Sequence, residues 1–181
     1  EEKDGIRFLF IGRIMRTKGV LELFECARNI RKKYNNVFFD VVGWDDGGMS
    51  GEIEKASEEG TIVFHGKQDN VIPFIQKAQC IVLPSYFEGT SNVLLEAAAS
   101  ARPVIASDVP GCRETFEEGI TGFGCKAKDG KSLESAVEKF LRLSHEEKIE
   151  MGRKGRLKVE REYDRNIVIE CYINELNEIQ R

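Results

Sequence analysis

The 181 residues carry 27 basic and 31 acidic side chains, a net charge of −4 with the signs interspersed, and this excludes the basic footprint of general nucleic-acid binding. No apolar run reaches the ~18 residues of a membrane span; the longest, 93–106, is interrupted by Glu96, Arg102 and Pro103. Five scattered cysteines with no CxxC pair, and only two histidines, argue against a metal site and for a reduced, cytoplasmic setting.

A chain of this length forms one domain, or one with a helical tail, and buries roughly 70% of its unfolded surface. No signal peptide is evident, and a strand begins at Ile6 without a preceding Met, as expected of a piece cut from a longer protein. Residues 6–11 are a mostly apolar run ending in Gly12-Arg13, the composition of a buried parallel strand. Helical spacing follows over 20–33, with Leu21, Phe24, Ala27 and Ile30 as the apolar face and cations at the end the dipole favours. Residues 37–42 are a second strand, 52–59 a polar helix, 61–64 a third strand closed by His65-Gly66 and 71–77 a short helix. A fourth strand spans 78–83, a helix 92–100, a fifth strand 103–106 and a sixth 121–125.

After Gly130 the pattern turns helical. Residues 132–143 place Leu133, Val137, Phe140 and Leu141 on one face, 145–162 form a charged helix, and 164–179 another with Ile167, Val168, Cys171, Tyr172 and Leu176 as its stripe. Cys26, Cys80 and Cys171 fall in apolar patterns and read as buried thiols. Strand–helix alternation with apolar strands predicts an α/β fold, a doubly wound, Rossmann-like parallel sheet of about six strands with helices on both faces. Residues 1–143 would form that unit, and the helices of 144–181 would pack on it or on a missing N-terminal domain.

The chemistry concentrates where strands end and helices begin, the place where open parallel sheets bind ligands. In 84–97 two carboxylates, Glu88 and Glu96, stand eight positions apart around a small polar turn. Thr90 or Ser91 is a helix cap there, leaving the N–H groups of Asn92, Val93 and Leu94 to meet phosphate oxygens. Arg13 and Lys18 flank the end of the first strand between Gly12 and Gly19. Two cations there suit a diphosphate or form a solvated basic loop, and the glycine spacing matches neither a Walker loop nor a dinucleotide fingerprint. Glu96 lies in an otherwise apolar helix, where a carboxylate needs a partner: ribose hydroxyls, a backbone group or Arg102. Glu88 suits contact with sugar hydroxyls or remains a solvated loop residue. Lys67, Gln68 and Asp69, following Gly66, could edge a nucleobase, and His65 reads as a strand-end histidine rather than a catalytic base.

Together these pieces resemble the C-terminal, donor-binding half of GT-B fold retaining glycosyltransferases of family four. The resemblance rests on Gly12-Arg13 with Lys18-Gly19, on Val63-Phe64-His65-Gly66, on Glu88 to Glu96, and on Pro103-Val104-Ile105-Ala106 followed by Val109-Pro110-Gly111 and Arg113-Glu114. It implies a two-domain, metal-independent enzyme with no cofactor, whose substrate is a nucleotide diphosphate sugar, uridine favoured over guanosine. It implies that Arg13 and Lys18 bind the diphosphate with the amides of Asn92 and Val93, that Glu96 holds the ribose, and that Glu88 contacts the sugar. Gly12, Gly66 and Ser91 complete the donor site, with Glu88, Arg13 and Lys18 as its catalytic members. An acceptor glycan or lipid-linked glycan would reach it through the missing N-terminal domain, without which the fragment would be inactive. A cytoplasmic enzyme, peripheral to the inner membrane face and serving polysaccharide or glycoconjugate synthesis, is the implied setting. A sugar-nucleotide epimerase half and a non-catalytic sugar-nucleotide-binding domain are the competing readings. One departure is visible: where the family has Gly before the X-Pro-Val-Ile strand, this chain has Ala101, and the helix end is expected to adjust.

Overall fold

The computed structural model describes residues 5–179. Six strands, β1 (Ile6–Ile11), β2 (Val37–Val42), β3 (Val63–Phe64), β4 (Cys80–Leu83), β5 (Val104–Ser107) and β6 (Gly122–Cys125), form one sheet in the order β3-β2-β1-β4-β5-β6. Every pairing is parallel, with Phe8 opposite Phe39 and Cys80, and Val82 opposite Ile105. The four-residue runs of β4 and β5 are wholly buried, as continuous apolar strands in a sheet covered on both faces must be. β3 is shorter than expected and its two residues are exposed, because it is the edge strand.

Helices α1 (Val20–Lys33), α2 (Ser50–Glu58), α3 (Ile72–Lys77), α4 (Asn92–Ala99), α5 (Gly130–Arg142), α6 (His145–Glu162) and α7 (Arg165–Ile179) complete the chain. α1 packs on α5, and Phe140 of α5 meets Phe8 edge to face at 5.6 Å while Phe8 stacks on Phe39 at 5.1 Å. α5 starts two residues before the expected point, because Asp129 caps it by accepting the N–H of Ser132. Ser144 and Glu147 form a reciprocal capping box that starts α6.

α6 lies across α4 and is brought close by glycine: a methyl at Gly152 would stand 2.1 Å from the Ala101 carbonyl oxygen. Ala101 itself corrects one expectation. The end of α4 does not adjust: Ala101 takes φ +53°, in the left-handed region, and the helix closes with Arg102 N–H to Ala97 carbonyl and Ala101 N–H to Ala98 carbonyl. That is the Schellman pattern, with alanine at the position glycine usually fills.

α7 also departs from expectation. Ile167, Ile169, Tyr172, Ile173 and Leu176 are exposed, and Cys171, read as a buried thiol, is exposed with them. The apolar residues of α7 do not reach the sheet, so the expected stripe gives no burial; the side chain of Val168 lies outside the described residues.

A left-handed non-glycine residue costs roughly 1–2 kcal/mol, part of which glycine returns to unfolded-chain entropy. Ala101→Gly is therefore expected to raise stability by about 0.5–1 kcal/mol. Gly152→Ala, which must push α6 off the Ala101 carbonyl, is expected to lower it by about 1–3 kcal/mol. Urea denaturation of both variants checks the pair of opposite signs.

Candidate functional site

The sheet order reverses direction between β1 and β4, so the loops leaving those strands diverge and open a crevice at their carboxyl ends. Two close backbone approaches fasten three loops together there. Gly19, at φ +70°, brings its Cα so near Pro84 that a methyl would lie 2.0 Å from the Pro84 carbonyl oxygen, and Tyr86 N–H donates to the Thr17 carbonyl at 2.8 Å. Gly111, at φ +84°, comes as close to Gly89, where a methyl would lie 1.9 Å from the carbonyl oxygen, and Ser91 N–H donates to the Gly111 carbonyl at 3.0 Å. The loops after β1, β4 and β5 thus form one surface.

Lys18 and Glu88, 70 residues apart in sequence, meet on that surface. The Lys18 ammonium lies 2.6 Å from Glu88 Oε1, with the side chains only 19% and 14% exposed. Ser85, fully buried, donates its hydroxyl to the same oxygen at 2.7 Å. Glu88 is therefore a shielded, doubly bonded carboxylate and not a solvated loop residue. Arg13 does not join this pair. Its guanidinium reaches Asp46 in the loop after β2 at 3.0 Å, and both side chains are largely exposed, so the pair adds little stability.

Ser91 caps α4 by accepting the N–H of Leu94 at 3.4 Å, and the N–H groups of Asn92 and Val93 in the first turn have no partner among the described residues. Glu96 is exposed: α4 turns Leu94, Ala97 and Ala98 inward and Glu96 outward. The expectation of a carboxylate strained by burial is corrected by helical geometry, and the suggested partner Arg102 instead donates to the Gln76 carbonyl.

On the other side of β1, Gly12 N–H continues the sheet to the Val42 carbonyl, and Gly43 N–H donates to the Gly66 carbonyl at 2.9 Å. His65 is committed to structure: its ring bonds the buried Asp40 carboxylate at 2.7 Å, which also accepts from Arg7, and the ring packs on Phe74.

Sequence reasoning missed Ser85 and the Tyr86–Glu22 bond. Tyr86 donates to the Glu22 carboxylate at 2.7 Å, and burial, then that carboxylate, pushes its pKa up to about 12. The bond ties the loop after β4 to the first turn of α1. The Ser85 hydroxyl sits three residues before Glu88, a spacing that could have signalled a local bond. Cys112, buried behind the site, has its thiol pushed up to about 12 by burial and then by the Glu88 charge, so it is no nucleophile. A shielded ammonium, an exposed guanidinium and unpartnered helix-start amides can bind an anion, and a carboxylate stands beside the ammonium.

Solved structures share the fold. Sucrose-phosphate synthase from Thermosynechococcus elongatus matches with TM-score 0.84 at 24% identity, over 97% of this chain and 46% of that one. The C-terminal domain of the glycosyl transferase group 1 family protein LpcC from Francisella tularensis matches with TM-score 0.77 at 22% identity, over 88% of this chain and 86% of that one. Anabaena HepE in complex with UDP and glucose matches with TM-score 0.83 at 15% identity, over 97% and 49%. The architecture is one half of the GT-B fold. The family model for glycosyl transferases group 1 matches residues 5–143, and the chain belongs to that family.

Two curated relatives are 31% identical. One is the N,N'-diacetylbacillosaminyl-diphospho-undecaprenol alpha-1,3-N-acetylgalactosaminyltransferase of Campylobacter jejuni, matched over 91% of this chain and 43% of the relative. The other is the capsular polysaccharide biosynthesis glycosyltransferase CapM of Staphylococcus aureus, over 89% and 43%. The chain thus spans less than half the length of the curated relatives it matches. No helix among the described residues is long and apolar enough to cross a membrane.

The loop beside Arg13 carries a pH marker. Asp45 accepts the N–H groups of Met49 and Gly47 and the Ser50 hydroxyl, and these bonds, that of Met49 foremost, lower its pKa from 3.8 to about 2. A depressed carboxylate contributes stability that is complete above its unfolded pKa and is lost as pH falls through the folded value. The expected result is an Asp45 carboxyl carbon titrating near pH 2 by NMR, and an Asp45→Asn variant whose stability falls less than wild type between about pH 4 and 2.

Proposed function

We propose that this chain is the donor-binding half of a glycosyltransferase that moves a sugar from a nucleotide diphosphate sugar to an acceptor hydroxyl with retention of configuration. The observation that carries the reading is the Lys18–Glu88 pair, 2.6 Å apart beside the first turn of α4 at the point where the sheet order reverses. A sugar diphosphate needs both signs in one place: a cation for the leaving diphosphate and a carboxylate for the partly positive anomeric carbon. The transferase names of the curated relatives and the UDP and glucose in the HepE complex support it.

In this reading Lys18 turns two of its three donors to the diphosphate, as Glu88 Oε1 engages only one. Arg13 releases its weak partner Asp46 and forks across phosphate oxygens. The amides of Asn92 and Val93 receive the remaining oxygens, and the Ser91 cap fixes their direction. These groups stabilise negative charge as the bond to the anomeric carbon lengthens. Glu88, retained by Ser85, faces the sugar, and the outward Glu96 meets the ribose hydroxyls. None of these steps uses a metal or a cofactor. The acceptor, a glycan or lipid-linked glycan by analogy with the name of the Campylobacter relative, would be met by parts of the longer protein, at the cytoplasmic face of a membrane.

Calorimetry with UDP and GDP tests the donor assignment. Losing one charge-assisted contact is expected to weaken binding about 10- to 100-fold in Lys18→Ala and less in the exposed Arg13→Ala. Unchanged affinity in both variants contradicts the diphosphate assignment. In the longer protein, sugar transfer abolished by Glu88→Ala supports catalysis, release of an epimerised nucleotide sugar points to an epimerase, and no turnover leaves a binding domain.

A further inference from the structure

Three unusual features meet at Tyr86, two residues before Glu88 in the chain. The first is its acceptor. The Tyr86 hydroxyl donates to Glu22 Oε1 at 2.7 Å, while the other oxygen of that carboxylate, Oε2, is buried without a hydrogen-bond partner. An unmet buried carboxylate oxygen carries a desolvation cost that native structures seldom accept. The second is the Lys128 ammonium, which lies 5.0 Å from the Tyr86 ring centroid, within cation–π range. The third is the backbone beneath that lysine. Lys128 takes φ +61°, and among the described residues only Ala101 is another non-glycine residue at positive φ. Glycine would make that turn at no steric cost, and residues held in such conformations cluster at ligand clamps and active sites.

These contacts bear on one short stretch of chain. Tyr86 stands between Ser85, which donates to Glu88 Oε1, and the segment that ends in Glu88 itself, paired with Lys18. Its own N–H donates to the carbonyl of Thr17, the residue before Lys18, at 2.8 Å. That backbone bond fixes one point of the loop and leaves its direction free. The side chain fixes the direction, because the ring is tied to the first turn of α1 through Glu22 and covered by Lys128 from the loop before α5. Burial and the Glu22 carboxylate push the Tyr86 hydroxyl up to about 12, so it remains a donor at neutral pH. Tyr86 bonds none of Arg13, Lys18, Asn92 and Val93, the groups proposed to receive the diphosphate.

We infer that Tyr86 is a positioning residue: anchored on Glu22, it sets the direction in which Glu88 presents its carboxylate to the transferred sugar, an assignment that rests on the donor-site reading above. It touches no substrate. The anchor is a hydrogen bond to a charged acceptor, stronger than one between neutral groups. Glu22→Gln therefore keeps the shape and weakens the hold, whereas Tyr86→Phe removes it. Because the diphosphate is met by other side chains and amides, loosening this anchor changes the sugar step and spares nucleotide binding.

The test pairs a spectroscopic readout with kinetics. The Glu88 carboxyl carbon is followed by NMR in wild type, Tyr86→Phe, Glu22→Gln and Gly152→Ala, the last a control for lost stability far from the loop. UDP affinity is measured by calorimetry on the same proteins. In the longer protein, release of UDP from UDP-glucose and from UDP-N-acetylgalactosamine gives kcat and KM. Tyr86→Phe is expected to shift the Glu88 signal, to lower kcat about 10-fold or more, and to leave KM and UDP affinity within about twofold. Glu22→Gln is expected to do the same to a smaller degree, and Gly152→Ala to leave the signal in place. A Glu88 signal that moves in neither anchor variant, or equally in Gly152→Ala, overturns the positioning role. So does an unchanged kcat, or a loss of UDP affinity as large as the loss of kcat. UDP bound but not released from either nucleotide sugar by the wild type leaves Tyr86 no sugar step to serve, and overturns the role while nucleotide binding stands. No heat with UDP or GDP, and no release, removes the donor reading and the positioning role together.

Discussion

The close approach of Gly19 to Pro84 and of Gly111 to Gly89 is the constraint from which the site follows. Each glycine has φ in the left-handed region and abuts a carbonyl oxygen with no room for a methyl group. Remove either contact and the loop after β4 loses its fixed place between the loops after β1 and β5. With both in place, side chains far apart in sequence are set within hydrogen-bond distance. The Lys18–Glu88 pair is the most direct consequence, since Gly19 follows Lys18 and Pro84 precedes Glu88 by four residues.

The two predicted cations have different electrostatic settings. Lys18 is shielded and shares its partner with a buried serine hydroxyl, so its geometry is fixed by several contacts. Arg13 is held by one exposed carboxylate in a neighbouring loop, an attraction that water and salt largely screen. In the proposed anion site the shielded ammonium would be the fixed point and the exposed guanidinium the arm free to exchange its partner. The loop carrying Asp46 also carries Trp44 and Asp45, so the part of the surface that neighbours Arg13 is stiffened by the Asp45 bonds and not by the ion pair.

Much of the fold was legible in the chain. The strands of 6–11 and 37–42 carry apolar runs that only a two-sided sheet can bury, and they stand where the periodicity put them. Helix starts were less legible where a side chain decides them, as Asp129 does for α5. Glu96 misled because composition around it is apolar, while exposure follows the 3.6-residue turn, and positions 94, 97 and 98 take the inward face. Ala101 misled because alanine's preference argues against a left-handed turn, yet the packing of Gly152 on its carbonyl and the two closing hydrogen bonds hold it there. The candidate residues themselves were visible as types at strand ends. Their pairing was not: which carboxylate meets Lys18 and which meets Arg13 depends on loops that neighbour one another only after the sheet has reversed its order.

These loops form a single surface, and the ligand proposed for it is a nucleoside diphosphate. Amide chemical-shift mapping by NMR during a UDP titration, with GDP in parallel, tests it most directly. The largest shifts are expected to gather at Lys18, Gly19, Glu88, Asn92, Val93 and Gly111, from three separate stretches of chain responding together with one affinity. Saturable shifts confined to β6 and α5, with those six amides unmoved, would contradict it.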